Sequence, residues 1–171
     1  MRKLIVALMI ALFLSACQNE AQILQEKYER YKLHYQSILN TTQFKTSSEH
    51  FSIEASLVKL SDGQYRYDVF VDEPKIAMHD VEILAIVDNG LLLVSDKMMP
   101  SVGLFEDESY RLIPYQVDVE LGYHKGFNLN GIVESDKINL KVVVMWKDYF
   151  EIKTEREYFS FDLSVEETVD E

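Results

Sequence analysis

From residue 51 onward, apolar and polar residues alternate with a period of two in segments separated by turn residues. Such alternation directs one face of an extended strand toward a core and the other toward water. It is clearest in residues 51–57 and 65–71, and Ser61-Asp62-Gly63 between them supplies a turn. The pattern predicts a β-hairpin here.

A second hairpin is predicted from Val81 to Val87 and from Leu91 to Val94, because Asn89-Gly90 is a dipeptide that tight hairpin turns favour. Its strands are almost wholly apolar, so we expect them to lie centrally in a sheet. Residues 95–109, which include a proline and a glycine, are expected to form a loop. Further strands are predicted at 110–120, 126–133, 137–147 and 154–163.

Seven or eight short strands without intervening helices are typical of an immunoglobulin-like β-sandwich, which we expect over residues 49–163. The chain lacks the cysteine pair of true immunoglobulin domains, and its single tryptophan, Trp146, comes late in the sequence. A jelly roll or a partly open barrel therefore stays open as an alternative topology.

Before the strands, the segment from Asn19 to Asn40 contains no glycine or proline and predicts an α-helix. Its apolar stripe consists of Leu24, Tyr28, Tyr31, Tyr35 and Ile38. The stripe extends over only about two heptads, which favours a helix that lies against the domain or forms a short stalk over a dimerising coiled coil.

The chain begins with Arg2 and Lys3, continues with an apolar run from Leu4 to Leu14, and then reads Ser15-Ala16-Cys17. This order of charged, apolar and small residues is that of a secretory signal. The apolar run is too short for a membrane-spanning helix, which needs about 20 residues.

The Leu14–Cys17 sequence resembles the lipobox of bacterial lipoproteins. The resemblance implies cleavage before Cys17, a diacylglycerol on its sulfur, and anchoring to the extracytoplasmic face of a bacterial membrane. Two acyl chains hold a protein stably to a bilayer. The domains expected are a signal peptide at 1–16, a lipid-anchored helix and linker at 17–48, the sandwich at 49–163 and an acidic tail at 164–171. An acylated Cys17 leaves no thiol for a disulfide, because it is the only cysteine.

The charge of the chain excludes nucleic acid as a partner. Removal of residues 1–16 leaves 15 Lys and Arg against 29 Asp and Glu and changes the formal net charge from -12 to -14. Such a surface repels nucleic acid and anionic headgroups, and keeps the domain in solution above the membrane.

Sequence motifs of enzymes are missing. The chain has no Gly-x-Ser-x-Gly elbow, no His-Glu-x-x-His pair and no glycine-rich phosphate loop after a strand. Acidic pairs such as Glu106/Glu108 and Asp118/Glu120 are expected to be solvated. We therefore expect a non-enzymatic protein with no cofactor other than the lipid on Cys17.

Two groups of residues are candidates for binding. Met78, His79, Met98 and Met99 flank the second predicted hairpin, and thioethers with an imidazole suit Cu(I). Aromatic residues are expected at loops or strand ends, where exposed rings bind sugars or proteins. They are Trp146, Tyr149 and Phe150, with Tyr110, Tyr115, Tyr123 and His124.

The function expected from the sequence is that of a membrane-anchored binding or structural component of the cell envelope. Sandwich domains often pair through exposed edge strands, so an envelope protein is the favoured partner. Copper binding and carbohydrate binding are the alternatives.

Overall fold

The computed structural model describes residues 2–88 and 98–165, with side chains from residue 20 onward. The predicted strand 91–94, the Asn89-Gly90 turn and most of the acidic tail lie outside the described residues. The chain forms helix α1 (Arg2–Asn40), then strands β1 (Ser52–Lys59), β2 (Tyr65–Asp72), β3 (His79–Val87), β4 (Ser101–Val102), β5 (Gly126–Val133), β6 (Lys137–Lys147) and β7 (Thr154–Ser164).

The strands form two antiparallel sheets. One has the order β1-β2-β5 and the other the order β4-β3-β6-β7. The first predicted hairpin is confirmed as β1 and β2, with Ile53 opposite Val71. Seven strands in two antiparallel sheets, preceded by one N-terminal helix, fit a β-sandwich.

The inward faces of the two sheets form the main core. Val69 and Val71 of β2 and Val142 and Val144 of β6 are all buried in it. At one side Phe51 packs edge-on against Trp146 and Phe159. Burying a side chain of this size contributes about 1.5–3 kcal/mol, so this core supplies most of the stability of the domain.

The four-stranded sheet is also buried on its outer face, where helix α1 packs. Tyr31, Tyr35 and Ile38 of the helix cover Leu84 of β3 and Val143 of β6. β3 and β6 are therefore buried on both faces, which explains why their sequences are nearly continuous apolar runs. The central position predicted for the strand at 81–87 is confirmed, since β3 lies between β4 and β6.

Polar contacts fix the helix along the sheet. The Arg30 guanidinium lies 3.0 Å from the Glu82 carboxylate, and His34 Nε2 lies 2.9 Å from its other oxygen. Lys27 pairs with Asp107 and also donates to the carbonyl of Phe105. The helix predicted to lie against the domain does so.

The apolar stripe of the helix is shorter than predicted. Leu24 is 61% exposed, whereas Tyr31, Tyr35 and Ile38 of the stripe are buried. Lys27, one turn after Leu24, contacts Phe105 and Asp107 in the segment after β4, so Leu24 lies on a part of the helix that extends beyond these contacts.

Two predictions for the segment between β3 and β5 are wrong in part. The predicted loop 95–109 contains the short strand β4, which pairs with Ile83 and Leu84. The predicted strand 110–120 is a series of isolated bridges and turns that ends in a 3₁₀ turn at Val119–Leu121. The reason is Pro114, which has no N–H for a ladder and favours a turn instead.

Gly131 and Tyr67 face each other across β5 and β2. A Cβ on Gly131 would lie 2.4 Å from the Tyr67 hydroxyl oxygen and 2.6 Å from the ring carbon that bears it. Burial of this ring raises the pKa of Tyr67 to about 12. The glycine therefore provides the space in which the largest fully buried side chain of β2 packs.

We expect Gly131→Ala to lower the free energy of unfolding by about 1–3 kcal/mol, because the new methyl group overpacks the core. Denaturant unfolding of the full chain measures this. In a Tyr67→Leu background the same substitution should cost much less. An equal cost in both backgrounds would show that the contact with Tyr67 is not the cause.

Candidate functional site

Three connections meet at one end of the sandwich: the one between β2 and β3, the segment that leads into β5, and the turn between β6 and β7. His79 at the start of β3 pairs with Lys147 at the end of β6. Lys147 in turn pairs with Thr154 at the start of β7. Met78 pairs with Leu112 of the segment that leads to β5. We call residues 73–78, 110–125 and 148–153 the loop end.

Asp148 builds the turn between β6 and β7. Its carboxylate Oδ1 accepts the backbone N–H groups of Ile152 and Lys153 at 3.0 and 3.2 Å, and its carbonyl accepts the N–H of Glu151 at 2.8 Å. Aspartate favours turns because it can make such bonds to its own backbone. The loop is thus held by the Asp148 carboxylate and by backbone hydrogen bonds, independently of its apolar side chains.

The apolar side chains of this turn point to solvent. Tyr149 is 72% exposed, Phe150 73% and Ile152 86%. Tyr149 and Phe150 occupy the central turn positions, where Gly, Pro, Asn, Asp or Ser are usual. Their rings meet edge-to-face at 5.3 Å. Neither turn geometry nor core packing accounts for aromatic rings here.

The segment before β5 repeats this pattern. Pro114 and Tyr115 occupy the centre of a turn closed by the Gln116 N–H on the Ile113 carbonyl at 3.1 Å. Tyr115 has φ 64°, a conformation that turns usually assign to glycine or asparagine, and its side chain is fully exposed.

Within the described residues, more than half of the large exposed apolar side chains belong to the loop end, eight of fifteen. The eight are Ile76, Tyr115, Val117, Val119, Leu121, Tyr149, Phe150 and Ile152. On the outer face of the β1-β2-β5 sheet, by contrast, the exposed Val58 and Ile132 are separated by Arg66. A concentration of apolar residues on one set of loops is typical of a binding surface.

Backbone strain is concentrated at the same end. Among the described residues, the non-glycine residues with positive φ are Glu73, Asp80, Tyr115 and Glu151. Three lie in the three loops, and Asp80 lies one residue inside β3, at an irregularity in its pairing with β6. Such residues cost about 1–3 kcal/mol each and cluster at functional sites.

A polar network supports the loops from below. The Lys147 ammonium and the Ser109 hydroxyl hold the pKa of Asp80 below its usual range, and Asp80 raises the pKa of Lys147. His79 is buried beside the β6–β7 turn, with Nδ1 3.3 Å from Glu151 Oε1. These contacts tie the turn to the start of β3.

A cleft of about 340 Å³ lies between helix α1 and the segment 103–110. Charged residues line it, but its cations are paired with its own carboxylates, Arg30 with Glu82 and Lys147 with Asp80. We interpret the cleft as part of the contact between helix and sheet.

The structure does not bring the four predicted copper ligands together. Met78 lies in the core between the sheets, whereas Met99 packs on the opposite, helix-facing side. The carbonyl of Pro100 accepts the N–H of Ala85, so Met99 lies near the far end of β3, about 20 Å from Met78. Met98 is exposed, and His79 faces the β6–β7 turn.

The aromatic candidates divide into three groups. Tyr149, Phe150 and Tyr115 are exposed at the loop end, as a binding role requires. Trp146 is only 2% exposed and belongs to the core, so it offers no surface. The remaining three, Tyr110, Tyr123 and His124, are half-buried. Val117, Val119 and Leu121 were missed, because alternation in this segment predicts a strand with a buried face.

Within the described ranges, no three His, Cys, Asp or Glu side chains lie close enough to hold a metal ion. Among the residues that the structure describes, no helix is both long and apolar enough to cross a membrane. Comparison with protein-family models, curated proteins and solved structures found no match to this chain.

We expect Asp148→Ala to lower the free energy of unfolding by about 1 kcal/mol, because two backbone N–H groups lose their acceptor. Phe150→Ser should change it by less than about 0.5 kcal/mol, since the ring is largely exposed. Denaturant unfolding of both variants makes the comparison. A larger loss for Phe150→Ser than for Asp148→Ala would mean that the ring serves the fold and not a contact surface.

Proposed function

We propose that this protein is a lipid-anchored, non-enzymatic binding module on the extracytoplasmic face of a bacterial membrane. The observation that carries the binding role is the loop end, where exposed apolar residues occupy strained turn positions. Residues that break local turn preferences without a packing gain are expected at functional sites. Apolar rings outside any core lower the free energy only when another surface covers them.

The sandwich that presents these loops is proposed to be immunoglobulin-like. Strands one, two and five form one sheet and strands three, six and seven lie in the other, which is the partition found in immunoglobulin domains. The short β4 extends the second sheet beside β3. In variable domains the loops at one end of the sandwich carry the binding residues, and the same use of the loop end follows by analogy.

The anchor is proposed from the sequence. Arg2 and Lys3, the apolar run that follows and the Leu-Ser-Ala-Cys ending at Cys17 support a lipobox. A diacylglyceryl group on Cys17 would hold the mature chain, with its net charge of -14, at a membrane whose anionic headgroups repel it.

Cys17→Ser tests the anchor. In bacteria supplied with an alkyne-tagged fatty acid, the unsubstituted chain and the neighbouring Gln18→Ser control should incorporate the tag and sediment with membranes. Cys17→Ser should incorporate none, because the sulfur that carries the lipid is gone. Incorporation by Cys17→Ser, or none by the unsubstituted chain, would contradict the proposed lipid anchor.

A further inference from the structure

Helix α1 has a definite direction over the sheet. Near its N-terminal contacts, Arg30 and His34 meet Glu82, close to the start of β3. Just after the helix, the Lys141 ammonium lies 5.2 Å from the centroid of the Phe44 ring, and Lys141 pairs with Ile86 near the end of β3. The helix therefore packs across β3 and β6 and runs from the start of β3 toward its end, so its N-terminus is directed toward the loop end.

Cys17 lies on the extension of this helix. It precedes Lys27 by ten residues in the continuous helix Arg2–Asn40, which corresponds to about 15 Å along the axis. Lys27 is paired with Asp107, two residues before Ser109, which bonds to Asp80 near the start of β3. The extension therefore carries position 17 past the start of β3, on the side where the loops project.

The geometry points to a second membrane contact: the loop end lies against the outer leaflet of the bilayer in which Cys17 is anchored, and its exposed apolar side chains enter the interface. This inference rests on the lipid anchor proposed above. It names the bilayer as the surface that covers the loop end, in place of the envelope protein expected from sequence.

The composition of the loop end suits a bilayer interface. Tyrosine concentrates at the level of the headgroups, where its ring is in an apolar layer and its hydroxyl stays wet. Phe150, Ile152 and Leu121 add exposed apolar side chains. Burial at the boundary between headgroups and acyl chains lowers the free energy of such side chains. Because the lipid holds the domain at the surface, even weak insertion of these loops is favoured by a high effective concentration.

The charge of the loop end is compatible with this contact. Its three segments carry five acids and four bases, so they are nearly neutral in a strongly acidic chain. The acidic run Glu106-Asp107-Glu108 precedes the second segment, and Lys27 of the helix pairs with its middle residue.

The test uses the lipidated protein, purified from bacterial membranes and reconstituted in phosphatidylcholine vesicles. Phe150→Cys provides a single free thiol for an environment-sensitive fluorophore, because the sulfur of Cys17 is acylated. Gln64→Cys, in the turn at the opposite end, is the matched control. We expect quenchers attached to lipid chains to reduce fluorescence several-fold more at position 150 than at position 64.

The outcomes separate the two proposals. If the protein floats with the vesicles but the label at position 150 is quenched only from water, the anchor stands and the membrane contact is wrong. A label at 150 shielded from both lipid and aqueous quenchers would mean that protein, such as a second copy, covers the loops, and would also overturn the inference. If the protein does not float with the vesicles, the anchor fails and the inference fails with it.

Discussion

The structure depends on covering both faces of the β4-β3-β6-β7 sheet. Its inner face packs on the three-stranded sheet, and its outer face exposes Leu84, Ile86 and Val143 unless helix α1 lies across it. Exposure of each such side chain to water costs about 1.5–3 kcal/mol, so the helix is a third layer of the domain and not a flexible linker. Glu82 contacts both Arg30 and His34, and these polar contacts fix the position of the helix on the apolar face.

Much of the fold follows from sequence patterns, because burial leaves a periodic signal. The hairpin of β1 and β2 and the bounds of β5 and β6 agree with the alternation and its turns. The sequence does not predict which sheet face the helix covers. An apolar run such as that of β6 indicates burial on both faces but not which element buries the outer one. The prediction of a strand at 110–120 is wrong because Tyr115, Val117 and Val119 alternate with polar residues as in a strand but face solvent, on turns that contain Pro114 and Gly122.

The sequence predicts only part of the candidate site, because exposure of a side chain depends on tertiary structure. Tyr149 and Phe150 stood out because aromatic residues are unusual beside a turn, whereas exposure of the aliphatic residues near them depends on tertiary structure. Met78 and Met99 lie apart because pairing of β4 with β3 places Met99 toward the far end of β3, whereas Met78 precedes its start. The fold, the strained loops and the direction of the helix together give one arrangement, in which position 17, where the lipid anchor is proposed, and the apolar loops are on the same side of the domain.

The central claim is that helix α1 is fixed on the sheet with its N-terminus toward the loop end. Spin labels at Ile23→Cys and Phe150→Cys on the protein purified from bacterial membranes, compared with a pair at Ile23→Cys and Gln64→Cys, measure this directly by dipolar spectroscopy. The account predicts a narrow distance distribution for both pairs and a shorter distance from position 23 to position 150 than to position 64. Broad distributions, or the opposite order of distances, would contradict it.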